Sequence, residues 1–215
     1  MERFVTQMML NQRDDRVNLK DQGMGYASAA VISKYLITSN EDLLRIDLSN
    51  NQFHTNFKPI VNGIKKNNRI IALIMKNNQL NGLDHAQDIK EMIQNHPSLS
   101  VIDFSNSELI VNKNTLRNPG AVAIIEGILQ SKQMGCSLIN EINLAHNYLN
   151  ADILPYFAML SNPNWIQLQS LNLSYNDLGS SSIKILAPIM STLESLNLSH
   201  TKLNNDSMED FSEMF

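Results

Sequence analysis

One phrase of apolar and polar positions recurs along the chain: apolar, two variable residues, apolar, one variable, apolar, two variable, Asn, one variable, apolar. It reads Leu43, Ile46, Leu48, Asn51, Phe53 in one copy and Ile70, Leu73, Met75, Asn78, Leu80 in the next. Later copies are Ile139, Ile142, Leu144, Asn147, Leu149 and Leu168, Leu171, Leu173, Asn176, Leu178. Two more keep the apolar frame and replace the Asn, at Leu99, Ile102, Phe104, Ser107, Leu109 and at Leu193, Leu196, Leu198, Thr201, Leu203. Val17, Leu19, Gln22 and Met24 form a degenerate first copy, which makes seven. The alternation at the centre of each phrase predicts a strand, with two side chains on one face and the intervening residue on the other. After the strand the spacing changes to three and four, as in Ala29, Ile32, Leu36, in Ala121, Ile124, Ile128 and in Ile183, Leu186, Met190. That spacing predicts a helix.

The Asn-equivalent positions 22, 51, 78, 107, 147, 176 and 201 are 29, 27, 29, 40, 29 and 25 residues apart. A period of about 28 belongs to repeats in which each unit supplies a strand and a helix. Such a unit has no partner for its own apolar face, so neighbouring units must stack to bury it. Composition sharpens this: the 215 residues include 27 Leu and 28 Asn, and much of the Asn falls in phase with Leu. The Asn amide offers two donors and an acceptor, which suits it to pair the backbone of a tight turn. Asn51, Asn78, Asn147 and Asn176 are therefore expected to form a buried structural ladder.

The full phrase, L-x-x-L-x-L-x-x-N-x-L-G followed by A-x-x-L-x-x-x-L, resembles the ribonuclease-inhibitor-like class of leucine-rich repeats over about residues 14 to 215. The resemblance implies an α/β solenoid: a curved right-handed β-α superhelix with parallel strands on the concave face and helices on the convex face. Within that frame residues 1–13, containing the amphipathic stretch ERFVTQMML, are expected to cap the first coil. Residues 14–215 hold seven repeats, the last incomplete, because the chain stops at Phe215 inside the seventh helix. Solenoids need polar ends for solubility, so either a longer protein or a partner covering the open C-terminal coil is expected.

Charge and chemistry narrow the function. A net charge of −4 with scattered Lys and Arg gives no phosphate-tracking surface, so nucleic acid is not expected as a partner. The single cysteine, Cys136, and a start without a continuous apolar stretch point to a reducing, cytoplasmic setting. No run reaches the roughly eighteen apolar residues of a membrane helix, so no membrane partner is expected. QGMGYAS imitates a dinucleotide fingerprint, but Lys20, Asp21 and Gln22 separate its glycine from the strand and Ser28 holds the third glycine position. Histidines 54, 85, 96, 146 and 200 lie in different units, and no metal spacing or hydrolase motif is present. We expect no cofactor, no metal site and no catalytic residues.

What remains is surface. The residues facing outward from the strands form a polar column of Asn18, Asp47, Ile74, Asp103, Asn143, Asn172 and Asn197, flanked by Arg45, Lys76, Glu141, Tyr175 and Glu194. His146 and His200 share one register beside it. Seven strands at about 4.8 Å extend roughly 29 Å, enough for a protein interface. The concave binding set is thus Arg45, Asp47, Asp103, Asn143, His146, Asn172, Tyr175, Glu194, Asn197 and His200. The 40-residue step adds a second candidate, the 110–119 loop with Lys113 and Arg117, because insertions in a solenoid project from one rim. The expected function is a non-catalytic protein-binding scaffold, with a cytoskeletal or axonemal assembly as its setting. The alternative is a GTPase-activating protein of the Ran-activator type, with Arg117 stabilising charge in phosphoryl transfer.

Overall fold

A computed structural model describes residues 15–54, 57–106, 115–133, 138–161 and 168–212. The proposed cap at 1–13, Lys113 and the first part of the 110–119 loop, Ser107 and Cys136 lie outside the described residues. Each phrase makes a three-residue strand: β1 Arg16–Asn18, β2 Arg45–Asp47, β3 Ala72–Ile74, β4 Val101–Asp103, β5 Glu141–Asn143, β6 Ser170–Asn172 and β7 Ser195–Asn197. They form one parallel sheet in sequence order. The register pairs equivalent phrase positions, Val17 with Ile46, Ile46 with Leu73, and so on to Leu171 with Leu196. Helices follow at α1 Tyr26–Ile32, α2 Phe57–Lys66, α3 Gly82–Gln94, α4 Arg117–Gln133, α5 Leu154–Ala158, α6 Ser182–Met190 and α7 Asn205–Ser212. This is an α/β leucine-rich-repeat solenoid.

The core is the stack of phrase residues. The central strand residue and the one two places on are buried in coils 1 to 6, from Val17 and Leu19 to Leu171 and Leu173. Their helical counterparts Ala29, Ile32, Leu36, Ala121, Ile124, Ile128 and Leu186 close the other side. Leu193, Leu196 and Leu198 of coil 7 are only half-buried, since among the described residues no further strand stacks on β7.

Two polar ladders tie the coils together. In the first, the phrase Asn reaches both its own turn and the coil before it. The Asn51 amide donates to Leu48 and Ser49 in its turn and to Leu19 in the preceding coil, and its oxygen accepts from the Met24 N–H. Asn78 likewise donates to Leu48, and Asn147 to Phe104. The second ladder, at the helix-to-strand corner, holds Asn40, Asn67 and His96, each three residues before the first phrase leucine or isoleucine. Asn67 donates to the carbonyls of Ile37 and Asn40, and His96 Nε2 donates to the Asn67 carbonyl at 2.9 Å.

His96 also accepts through Nδ1 from the Ser98 and Leu99 N–H groups at 3.3 and 3.0 Å. That geometry requires the neutral ring. Burial pushes its pKa below the ordinary 6.5, against the pull of the Asn67 and Ile64 carbonyls. The native state therefore binds this proton less readily than the unfolded chain. The contribution is complete above about pH 6.5 and declines as the pH falls below it, by at most about 1.4 kcal/mol per pH unit until the native ring itself protonates. Urea melts between pH 7.5 and 5 should show a steeper loss for the wild type than for His96→Gln; parallel curves would remove the assignment.

On the helical side, Lys58 and Lys65 of α2 meet Asp88 and Glu91 of α3. A hydrogen bond from Gln87, then Lys65 and Lys58, lowers Glu91 to about 2.

The long step is handled unexpectedly. Thr115 returns to coil 3, where it forms a parallel bridge with Asn81 and donates to the Leu80 carbonyl. The sequence placed Arg117 in a projecting loop; it instead opens α4, and its N–H donates to the Asn147 carbonyl.

Candidate protein-binding face

The outward column is less free than its polarity suggests. Where it carries Asn or Asp, the side-chain oxygen accepts the N–H two residues on: Lys20 to Asn18, Ser49 to Asp47, Ser105 to Asp103, Ala145 to Asn143, Ser174 to Asn172 and Ser199 to Asn197, all within 2.9–3.2 Å. Each is a local turn that ends the strand. The recurrent D-L-S, D-F-S and N-L-S strings carry this signal, which the contact-surface reading missed. Asp103 goes further: it is buried, paired to Lys76 at 2.9 Å and bonded by the Asn143 amide. It therefore belongs to the face's internal network. The amide donors of Asn172 and Asn197 meet no described residue and point their capacity outward.

On the edge where the strands begin, Asn140 donates to Gln169 and Gln169 to Glu194, which holds Glu194 at the end of a surface chain. Arg45 is exposed, and no ion pair joins it to a described residue. On the edge where the strands end, the residue before the ladder position turns left-handed. In coils 1 to 3 it is Asp21, Asn50 or Asn77, with φ of 59°, 57° and 52°. These residue types tolerate that region. In coils 5 to 7 it is His146, Tyr175 and His200, with φ of 56°, 56° and 57°. Their rings form one continuous stack, His146 on Tyr175 at 3.9 Å and Tyr175 on His200 at 4.2 Å, nearly parallel. The shared register of the two histidines was legible in the sequence. Tyr175, just before Asn176, holds the same register between them, but the stacking of the three rings was not legible there.

Arg117 is exposed close to this edge, where it lines a groove of about 360 Å³ with Asn118, Pro119, Tyr148 and Asn150. His54 and His85 meet edge to face at 5.2 Å, and His85 bonds backbone atoms of Asn81 and His54. Among the described residues no group of three His, Cys, Asp or Glu side chains is placed to hold a metal ion, and no helix is long and apolar enough to cross a membrane.

Stacked strand-helix units with an open strand face define a repeat solenoid. The family model described as Leucine Rich Repeat matches residues 167–188, the β6 unit. With seven units in register, the chain has the fold of a leucine-rich-repeat solenoid. Among solved structures it is similar to an internalin from Listeria monocytogenes, at 16% identity and TM-score 0.49, over 83% of this chain and 48% of that one. It is also similar to the actin-binding site 2 of leiomodin-1, at 9% identity and TM-score 0.49, over 87% and 85% of the two chains. A third similarity is to the ectodomain of the Arabidopsis thaliana receptor kinase GASSHO1/SCHENGEN3 in complex with CASPARIAN STRIP INTEGRITY FACTOR 2, at 18% identity and TM-score 0.42, over 86% of this chain and 20% of that one. The chain thus spans about half of the internalin and a fifth of the receptor ectodomain. No curated protein sequence matches it significantly.

Proposed function

We propose that the protein is a non-catalytic scaffold of the ribonuclease-inhibitor-like subclass, cytoplasmic in setting, that holds a partner protein against the strand face. The ring stack is the anchor. The observation that carries this reading is His146, Tyr175 and His200 held in left-handed conformations. Histidine tolerates that region as Asn and Asp do, whereas for Tyr175 it costs on the order of 1–3 kcal/mol. Coils 2 and 3 make the same turn with Asn, which also tolerates that region, so the turn does not require rings. A row of partly exposed rings beside unused amide donors is a composition suited to a binding hot spot. Open strand faces of repeat solenoids commonly serve as docking surfaces.

Tyr175→Asn separates the two roles. It removes two stacking contacts, each about 0.5–1.5 kcal/mol, and relieves the left-handed strain. The urea midpoint should therefore correspond to a change under about 1 kcal/mol. Partner capture from native extract, read by crosslinking, should fall sharply with the same variant. Crosslinks confined to the helices, with the strand face bare, would overturn the proposal. The cytoskeletal setting is its narrower form, and co-sedimentation of the protein with filaments tests it.

A further inference from the structure

The two ends of the sheet differ. In coil 1 Val17 and Leu19 are 2% and 0% exposed, whereas the equivalent Leu196 and Leu198 of coil 7 are only half-buried. Leu193 before β7 and Leu203 after it are half-buried too. The same edge carries unused backbone groups. In coil 6 the N–H groups of Leu173 and Tyr175 donate to Asn197 and Ser199 of coil 7. Their equivalents in coil 7, the N–H groups of Leu198 and His200, meet no backbone acceptor among the described residues. Such an edge is a template for another strand. Its sequence is also its own complement: residues 194–200 read Glu-Ser-Leu-Asn-Leu-Ser-His, the same from either end except that Glu and His exchange places.

We propose that coil 7 binds coil 7 of a second copy of this chain, β7 pairing antiparallel with β7 about a twofold axis at Asn197. A twofold interface requires a self-complementary patch. In this register Leu196 meets Leu198, Ser195 meets Ser199 and Glu194 meets His200, each of them twice. The backbone agrees. Ser195 donates to Gln169 and Asn197 accepts from Leu173, so both turn toward coil 6 and leave Leu196 and Leu198 turned outward. These two then exchange N–H and C=O with their counterparts, and Asn197 falls on the axis as a pair without hydrogen bonds. Glu194 gives one oxygen to Gln169, and its other oxygen and the His200 ring nitrogens meet no described residue. Lys202 is bound to Asp177 at 2.6 Å, and Glu209 is exposed in the helix layer, so neither competes along the strand. A parallel pairing of the same edges would set Glu194 against Glu194. Head-to-tail stacking would need an open edge at coil 1, where the apolar residues are covered. The strand faces of both copies stay open on one side of the joined sheet, so this pairing stands apart from the binding of a partner there.

Sedimentation velocity of the 215-residue chain should show a dimer that dissociates on dilution. In a Cys136→Ser background, Asn197→Cys should oxidise to a covalent dimer. The two Cα atoms of such a pair lie about 4.5 Å apart, within reach of a disulfide. Ser195→Cys alone should stay monomeric on a non-reducing gel, because its counterpart is Ser199; mixed with Ser199→Cys it should crosslink. Glu194→Lys should weaken the dimer about tenfold or more by facing His200 and Lys202 of the second copy. Adding His200→Asp should restore it, which loss of folding could not do. A chain that remains monomeric at every concentration would overturn the proposal. So would Ser195→Cys crosslinking as readily as Asn197→Cys, or a double charge variant no better than the single one. Each of these leaves the strand-face reading standing, since partner capture there is measured separately.

Discussion

Asn176→Ala is expected to lower stability by about 3 kcal/mol, more than any other single ladder substitution. The amide of Asn176 donates to the carbonyls of Leu144, Leu173 and Ser174, and its oxygen accepts the N–H groups of Asn147 and Leu149. Alanine leaves two buried donors and an inter-coil carbonyl unpaired, and each such group costs on the order of 1–3 kcal/mol. Asn147 accepts one N–H, from Leu116, and donates to two carbonyls, Phe104 and Ala145, so Asn147→Ala should cost less, about 2 kcal/mol. The bonds lost at 176 cross from coil 6 to coil 5. Because each coil is stabilised mainly by its neighbours, the urea transition of Asn176→Ala should broaden or split as coils 6 and 7 unfold ahead of the rest. Asn176→Asp should be worse than alanine at pH 7, since a carboxylate has no donor to give three carbonyls. An aspartate variant as stable as the wild type would remove the ladder account.

Gly82→Ala is expected to cost about 3 kcal/mol or more, for a reason that lies in backbone rather than side chains. A Cβ at Gly82 would stand 1.8 Å from the Leu116 carbonyl oxygen and 2.5 Å from the Gly120 nitrogen. Neither atom can rotate away, so the first turns of α3 and α4 must separate along the most extensive helix contact among the described residues. Overpacking ordinarily costs about 1–3 kcal/mol, and more where backbone must move. Gly120→Ala meets the Leu116 Cβ at 2.8 Å and the Gly82 Cα at 3.2 Å, atoms that are also fixed but far less deeply overlapped. Its cost should be visibly smaller. Thermal melts that rank the two in the opposite order, or a Gly82→Ala within about 0.5 kcal/mol of wild type, would refute the close approach.

Both expectations show where sequence reasoning reaches. The phrase Asn was legible because burying an amide in step with leucine leaves a periodic trace. Asn67 and His96 stand in step as well, but with a mixed residue type and a partner in another coil, so the second ladder had no recognisable signature. The outward Asn and Asp residues were legible as a column and misread in part, because local acceptance of an N–H and contact with a partner select the same short polar side chains. Arg117 was placed in a loop because the long step breaks the period. Only the Thr115 bridge to Asn81 shows that the chain returns to coil 3 before α4 begins.

The sequence by itself determined the repeat, its strand-helix order, the buried leucine frame and the turn asparagines. These depend on spacing within one unit, and one unit's spacing repeats seven times. The tertiary structure decided what depends on contact between units: the ring stack across three coils, the pairing of Lys76 with Asp103 and the closeness of Gly82 to Leu116. Residues about 28 positions apart become neighbours only when coils stack, and no local pattern records which side chains then meet.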